Sequence, residues 1–126
     1  MIAAALASLG LAVLIHFYIF VLESLRWSAP STRKIFGIRS QVQLDATRPL
    51  AFNQGFYNLF LALIAVAGMV VFSLGYAAVG AGLMVAGAAS MVLAGLVLLV
   101  SSPRLWRAAL VQLAPPAVGL LFLAVG

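Results

Sequence analysis

The chain has 126 residues, of which 66% are hydrophobic and 7% are charged, and its formal net charge is +5. Soluble domains are about 45–50% apolar and about 25% charged, so this composition excludes a water-soluble enzyme and a disordered segment. The length fits one domain, and the lack of cysteine excludes disulfides and thiolate metal sites. The sequence is therefore that of a small integral membrane protein.

Four apolar segments are long enough to cross a bilayer, because a spanning helix needs about 20 mostly apolar residues. They cover approximately residues 2–27, 49–73, 76–100 and 105–125. The first segment lacks a preceding basic residue and is too long for a signal peptide, so we expect it to be retained as a helix. The predicted fold is all-α, a four-helix integral membrane bundle forming one domain over residues 1–126.

The link at residues 28–48 is the only substantial extramembrane segment that the sequence predicts. It carries Ile35 and Phe36 among basic residues. Such a mixture is typical of a segment that lies on an anionic membrane surface with its apolar side chains inserted. The alternative is a lid over a site below it.

Proline marks two further positions. We expect the second span to begin near Pro49, with Asp45 or Thr47 as its N-cap, because proline fits the first turn of a helix. The pair Pro115–Pro116 lies inside the fourth span and is expected to kink it. The kink would free backbone carbonyls near Gln112.

The basic residues all lie on one side of the predicted bundle. They are Arg26, Arg33, Lys34, Arg39, Arg48, Arg104 and Arg107. The positive-inside rule therefore predicts cytoplasmic links and both termini outside, with Trp27 and Trp106 at the cytoplasmic interface. No basic stripe is interleaved with aromatic residues, so we expect no nucleic-acid partner.

Polar residues inside the spans are candidates for function, because they are costly in hydrocarbon. The predicted ligand-binding residues are His16, Glu23, Asn53, Gln54, Tyr57, Asn58 and Gln112. A spacing of seven puts the first two on one helix face. In antiparallel spans, Glu23 should lie level with Asn53 or Gln54, and His16 level with Asn58. The alternative is that these side chains only hold the helices in register.

A metal site is not expected, because one histidine and one glutamate supply too few ligands. No cofactor is predicted either. The third span carries small residues four apart, as in Ala78, Gly82 and Ala86, or Gly87, Met91 and Gly95. Such faces favour close helix packing, either within the bundle or in a homodimer.

Two motifs resemble those of a known family. The stretch from His16 to Glu23, continued by Trp27, Arg33 and Phe36–Gly37, is similar to the opening of a family of bacterial membrane proteins, domain of unknown function 1304. The stretch Asn53–Asn58 resembles its second signature, with Phe56 where leucine is usual, and Gln112 followed by Pro115 resembles its ending. The resemblance implies a four-helix protein of the bacterial inner (plasma) membrane and no particular reaction.

Three functions remain open from the sequence. The favoured one is binding or transport of a small polar or amphiphilic solute at the intramembrane polar residues. The second is a membrane enzyme that acts on a lipid-like substrate, with His16 and Glu23 as acid and base. The third is a structural or accessory subunit. The bilayer is the one partner that the composition requires.

The predicted topology can be tested with reporter fusions. A reporter that works only outside the cytoplasm should be active when it is fused after Gly126. The reason is that the basic links keep the other end of the bundle in the cytoplasm. A reporter inserted after Ser31 serves as the control and should give the opposite result. Cytoplasmic activity of the C-terminal fusion would contradict the prediction.

Overall fold

Apolar runs form four long helices in the computed structural model, which describes residues 1–126. Helix α1 (Ile2–Phe20) continues through one π-helical turn (Val21–Leu25), and the short α2 (Pro30–Phe36) follows it. The other long helices are α3 (Gln41–Ser73), α4 (Ala77–Ser101) and α5 (Trp106–Val125), the last after a 3₁₀ turn at Pro103–Leu105. The all-α class and the four apolar helices long enough to span a membrane are confirmed. The protein is a multi-pass membrane protein.

The four long helices form a ring in chain order. Helix α3 packs against α1 and α4, and α5 packs against α4 and α1. A side chain at Gly126 would touch Met1, so the two termini lie together at one end of the bundle. The basic residues lie at the opposite end, from the end of α1 through the first turns of α3 and where α4 meets α5.

The end of the bundle near the termini has a packed apolar core. Leu9, Met84 and Ala88 are fully buried there, and a second layer is built from Ala12 and Met91 with their neighbours. Large apolar side chains also cover the outside. Examples that are more than half exposed are Leu14, Leu63, Leu93 and Val111. An apolar exterior around an apolar core is what a lipid solvent requires.

The small residues of α4 divide between two faces. Gly87, Met91 and Gly95 are buried within the bundle, whereas Ala78, Gly82 and Ala86 are exposed. The first set therefore packs the four helices together, as small residues allow. The second set faces outward, and the homodimer through this helix remains a prediction.

Helix α3 begins eight residues before the predicted start at Pro49. Ser40 accepts a hydrogen bond from the backbone N–H of Gln43, so Ser40 is the N-cap, and the prediction of Asp45 or Thr47 was wrong. Pro49 therefore lies inside the helix, where it removes one backbone hydrogen bond. At 33 residues, α3 is about 50 Å long, so its first turns extend beyond a hydrocarbon core of about 30 Å.

Close packing of α3 on α4 predicts different effects for two glycine substitutions. In Gly68→Ala, the new Cβ would lie 2.6 Å from the backbone nitrogen of Met84, so we expect a loss of roughly 1–3 kcal/mol in unfolding free energy. In the control, Gly82→Ala, the new Cβ meets nothing within 4 Å, and stability should be unchanged or slightly higher. Unfolding in detergent measures both. Equal stability of the two variants would contradict the packing.

Candidate functional site

A cavity of about 580 Å³ lies between the helices in the basic half of the bundle. We call it the bilayer cavity. Twelve of its 18 lining residues are hydrophobic, among them Ile19 and Leu98. Its polar lining residues are Glu23, Gln54, Asn58, Ser101, Arg107 and Gln112. An apolar cavity with a few polar groups is the usual form of a small-molecule site.

The centre of the polar lining is a pair of side chains from α1 and α3. The side-chain amide of Asn58 donates a hydrogen bond of 2.9 Å to Oε2 of Glu23, and it also donates to the backbone carbonyl of Gln54. Glu23 is only 9% exposed. A carboxyl group at this depth needs such a partner, because an unpaired polar group in hydrocarbon costs several kcal/mol.

Two acceptor atoms of this pair have no partner within the protein. They are Oε1 of Glu23 and the amide oxygen of Asn58. The polar side-chain atoms that are both sealed and unpartnered are Nε2 of His16 and Oγ1 of Thr32. The two free oxygens are therefore not sealed, and both residues line the bilayer cavity, so a ligand there can donate hydrogen bonds to them.

Depth placed Glu23 level with Asn53 or Gln54, and its Cβ does lie beside the neighbouring Gly55. Its carboxyl group nevertheless bonds Asn58, one helical turn farther along α3. Helical side chains lean toward the N-terminus of their own helix, so in antiparallel helices Glu23 reaches inward while Asn58 reaches back toward it. Gly55 allows the approach, because any side chain there would collide with Ser24.

His16 does not join this pair. Its ring is fully buried, Nδ1 lies 2.9 Å from the backbone oxygen of Ala12, and the residue does not line the bilayer cavity. Glu23 lies in the π-helical turn and His16 in the regular part of α1, and both side chains are buried. That the two share one helix face stays a prediction.

The other predicted site residues fall into two groups. Gln54 and Gln112 line the bilayer cavity with Glu23 and Asn58. Asn53 and Tyr57 do not line it, and both are exposed on the outer surface of α3. Four of the seven predicted residues are thus brought together. His16 and Asn58, which were expected at the same depth, have different hydrogen-bond partners: the Ala12 carbonyl and Glu23.

The cavity includes residues that the sequence did not single out for the site. Arg107 was interpreted only as one of the basic residues that set the topology, yet it lines the cavity, and so does Ser101. Ile35 and Phe36 of α2 also line it, and the Phe36 ring packs on Trp27 with ring centroids 4.9 Å apart. Part of the segment at residues 28–48 therefore borders the cavity, as the lid alternative requires.

Helix α5 continues through Pro115 and Pro116, and neither residue can donate to the carbonyl four positions earlier. Those carbonyls belong to Val111 and Gln112, and both residues line the bilayer cavity. The polar lining combines a carboxyl group, side-chain amides and a guanidinium, which can form hydrogen bonds and pair with charge.

A family model described as "Protein of unknown function (DUF1304)" matches residues 10–124. The match covers all of the lining of the bilayer cavity and both sequence motifs noted above. No curated protein and no solved structure matches the chain.

The Glu23–Asn58 pair predicts a measurable coupling. Glu23→Ala and Asn58→Ala should each destabilise the protein, and the double variant should lose less than the sum, because the two side chains bond each other. We expect a coupling of roughly 0.6–1.7 kcal/mol, as for other bonds between membrane helices. Unfolding in detergent measures it. Additive losses would contradict the bond, and Tyr57→Ala paired with Glu23→Ala serves as the additive control.

Proposed function

Since the chain belongs to the DUF1304 family, whose description carries no activity, we propose a function from the site itself. The protein binds a small amphiphilic solute in the bilayer cavity, and Glu23 and Asn58 contact the polar end of that solute. The observation that carries this proposal is an intramembrane carboxyl group with a free oxygen that borders an apolar cavity. Intramembrane ionisable groups typically mark substrate sites.

The shape and the lining of the cavity support an amphiphile rather than a wholly polar solute. Ligand sites usually have volumes of about 300–1,000 Å³, and this cavity of about 580 Å³ lies within that range. Its walls are mainly aliphatic, so they would gain from the burial of an apolar body. The polar end would then lie at Glu23, where the free oxygens accept hydrogen bonds or balance a positive charge.

Binding is better supported than passage across the membrane. The half of the bundle near the termini is filled by fully buried side chains, including Leu9, Met84 and Met91. A solute would need these layers to separate before it could cross. Transport therefore requires a conformational change, whereas binding needs only the cavity as it is.

The enzyme alternative is less well supported by the same geometry. An acid and a base acting on one substrate must both reach it. His16 is sealed and outside the cavity lining, whereas Glu23 borders the cavity. A structural role for the polar residues accounts for the Glu23–Asn58 bond, but it leaves the cavity beside that bond unexplained.

We also propose the orientation and the membrane. The basic residues are all at the end of the bundle opposite the termini, so this end faces the cytoplasm and both termini lie outside. The bacterial plasma membrane, with its anionic lipids, fits this distribution. The bilayer cavity would then be open to the inner leaflet and the cytoplasm.

A lipophilic cation tests the role of Glu23. The probe is tetraphenylphosphonium, compared with neutral triphenylphosphine oxide, and binding to the purified protein is measured by equilibrium dialysis. We expect the wild type to prefer the cation and Glu23→Gln to bind it about tenfold more weakly. The loss is expected because the glutamine removes the negative charge that attracts the cation, and a tenfold change corresponds to about 1.4 kcal/mol. Asn58 can still bond the glutamine oxygen, so the fold should persist.

The matched control is Asp45→Asn, which removes the only other acidic side chain. Asp45 bonds Gln41 near the start of α3 and does not border the bilayer cavity. This variant should bind the cation like the wild type. If Glu23→Gln binds it as tightly as the wild type, or if both variants lose affinity equally, the proposed site is wrong.

A further inference from the structure

A second, smaller cavity of about 360 Å³ lies where α1 ends and the chain turns toward α2. We call it the surface cavity. It is bordered by Arg26, Trp27 and Ser28 from the turn and by Arg48 and Phe52 from α3. It opens at the basic end of the bundle, beside the interfacial Trp27. Two guanidinium groups in one cavity are more than the positive-inside rule alone requires.

Most hydrogen-bond donors around the surface cavity have no acceptor in the protein. Arg48 donates one hydrogen bond of 2.8 Å, to the hydroxyl of Ser28, and Arg26 makes no side-chain hydrogen bond. A guanidinium carries five N–H donors in a planar fork that matches phosphate. The backbone N–H groups of Trp27 and Ser28 also have no backbone acceptor, because the helix has ended there.

One acidic residue borders the same cavity. Glu23 lines both cavities, but its hydrogen-bonded oxygen is held by Asn58 of α3, which lines only the bilayer cavity. The surface cavity is therefore bordered by two guanidinium groups and one carboxyl group. This balance favours an anion.

The rim of the surface cavity is apolar and faces lipid. Leu25 is 64% exposed and Phe52 is 48% exposed, and both border the cavity. The Trp27 ring is held in place by a hydrogen bond of 3.1 Å from its Nε1 to the hydroxyl of Thr47. An anion-binding pocket that continues into an apolar, lipid-facing surface fits a molecule with a phosphate and an acyl chain.

We propose that the surface cavity binds the headgroup phosphate of an anionic glycerophospholipid from the adjoining leaflet. Arg26 and Arg48 contact the phosphate, Ser28 donates a further hydrogen bond, and the acyl chain lies along Leu25 and Phe52. This lipid is separate from the solute of the bilayer cavity, and the inference does not depend on the proposed function.

The experiment measures lipid bound to the full-length protein by native mass spectrometry in a neutral detergent. Phosphatidylglycerol and phosphatidylcholine are added in equal amounts. We expect the wild type to retain phosphatidylglycerol preferentially. Arg26→Gln and Arg48→Gln should each reduce that retention about tenfold, since a charge-assisted hydrogen bond is lost.

The control for general electrostatic attraction is Arg39→Gln. Arg39 lies in the same basic segment, and its side chain does not border the surface cavity. This variant has the same charge as the test variants and should retain the lipid like the wild type. Equal losses in all three variants would overturn the proposal, and so would equal retention of the two lipids by the wild type.

A competition with phosphate distinguishes a lipid site from a site for free phosphate. Inorganic phosphate added at millimolar concentration should not displace the lipid, and displacement would show a site for free phosphate instead. Arg48→Gln also removes the bond to Ser28, so it is the variant at risk of misfolding. If it fails to fold, Arg26→Gln decides the outcome alone, because Arg26 holds no side-chain hydrogen bond in the protein.

Discussion

The hydrogen bond between Glu23 and Asn58 is the constraint on which the basic half of the bundle depends. A carboxyl group within a span must have a partner, and the one it has is 35 residues away on another helix. The bond therefore fixes how α1 and α3 are aligned. Gly55 allows the two backbones to approach, and the hydroxyl of Ser24 ties α1 to the Phe52 carbonyl at 2.8 Å. The need to pair the buried carboxyl group thus determines how closely α1 and α3 pack.

The two ends of the bundle differ because they meet different requirements. Near the termini, alanine, methionine and leucine side chains fill the centre, and glycines such as Gly68 bring helix backbones close together. At the basic end, the polar lining residues of α1, α3 and α5 border a cavity that they do not fill. Dispersion forces and close packing stabilise the end near the termini, whereas hydrogen bonds align the helices at the basic end. The open end is the one available for ligands.

Much of this arrangement could be predicted from the sequence, because hydropathy and charge act over whole segments. The four helices and the clustering of polar residues in one half follow from them directly. The failures came from local geometry. His16 lies outside the lining of the bilayer cavity although Glu23 is part of it. Helix α3 begins at Gln41, where Ser40 caps it, and not near Pro49. Arg107 was missed because a basic residue at a span end already had a topological explanation.

The central claim is that the bilayer cavity admits water and solutes to the level of Glu23, and single-cysteine labelling tests it most directly. The chain has no cysteine, so a substituted one is labelled without background. Ala94→Cys borders the bilayer cavity, whereas Ala88→Cys, on the same helix, replaces a fully buried residue. Because thiolate formation needs water, N-ethylmaleimide should modify the first and spare the second in membranes. Equal resistance of both cysteines would contradict the account.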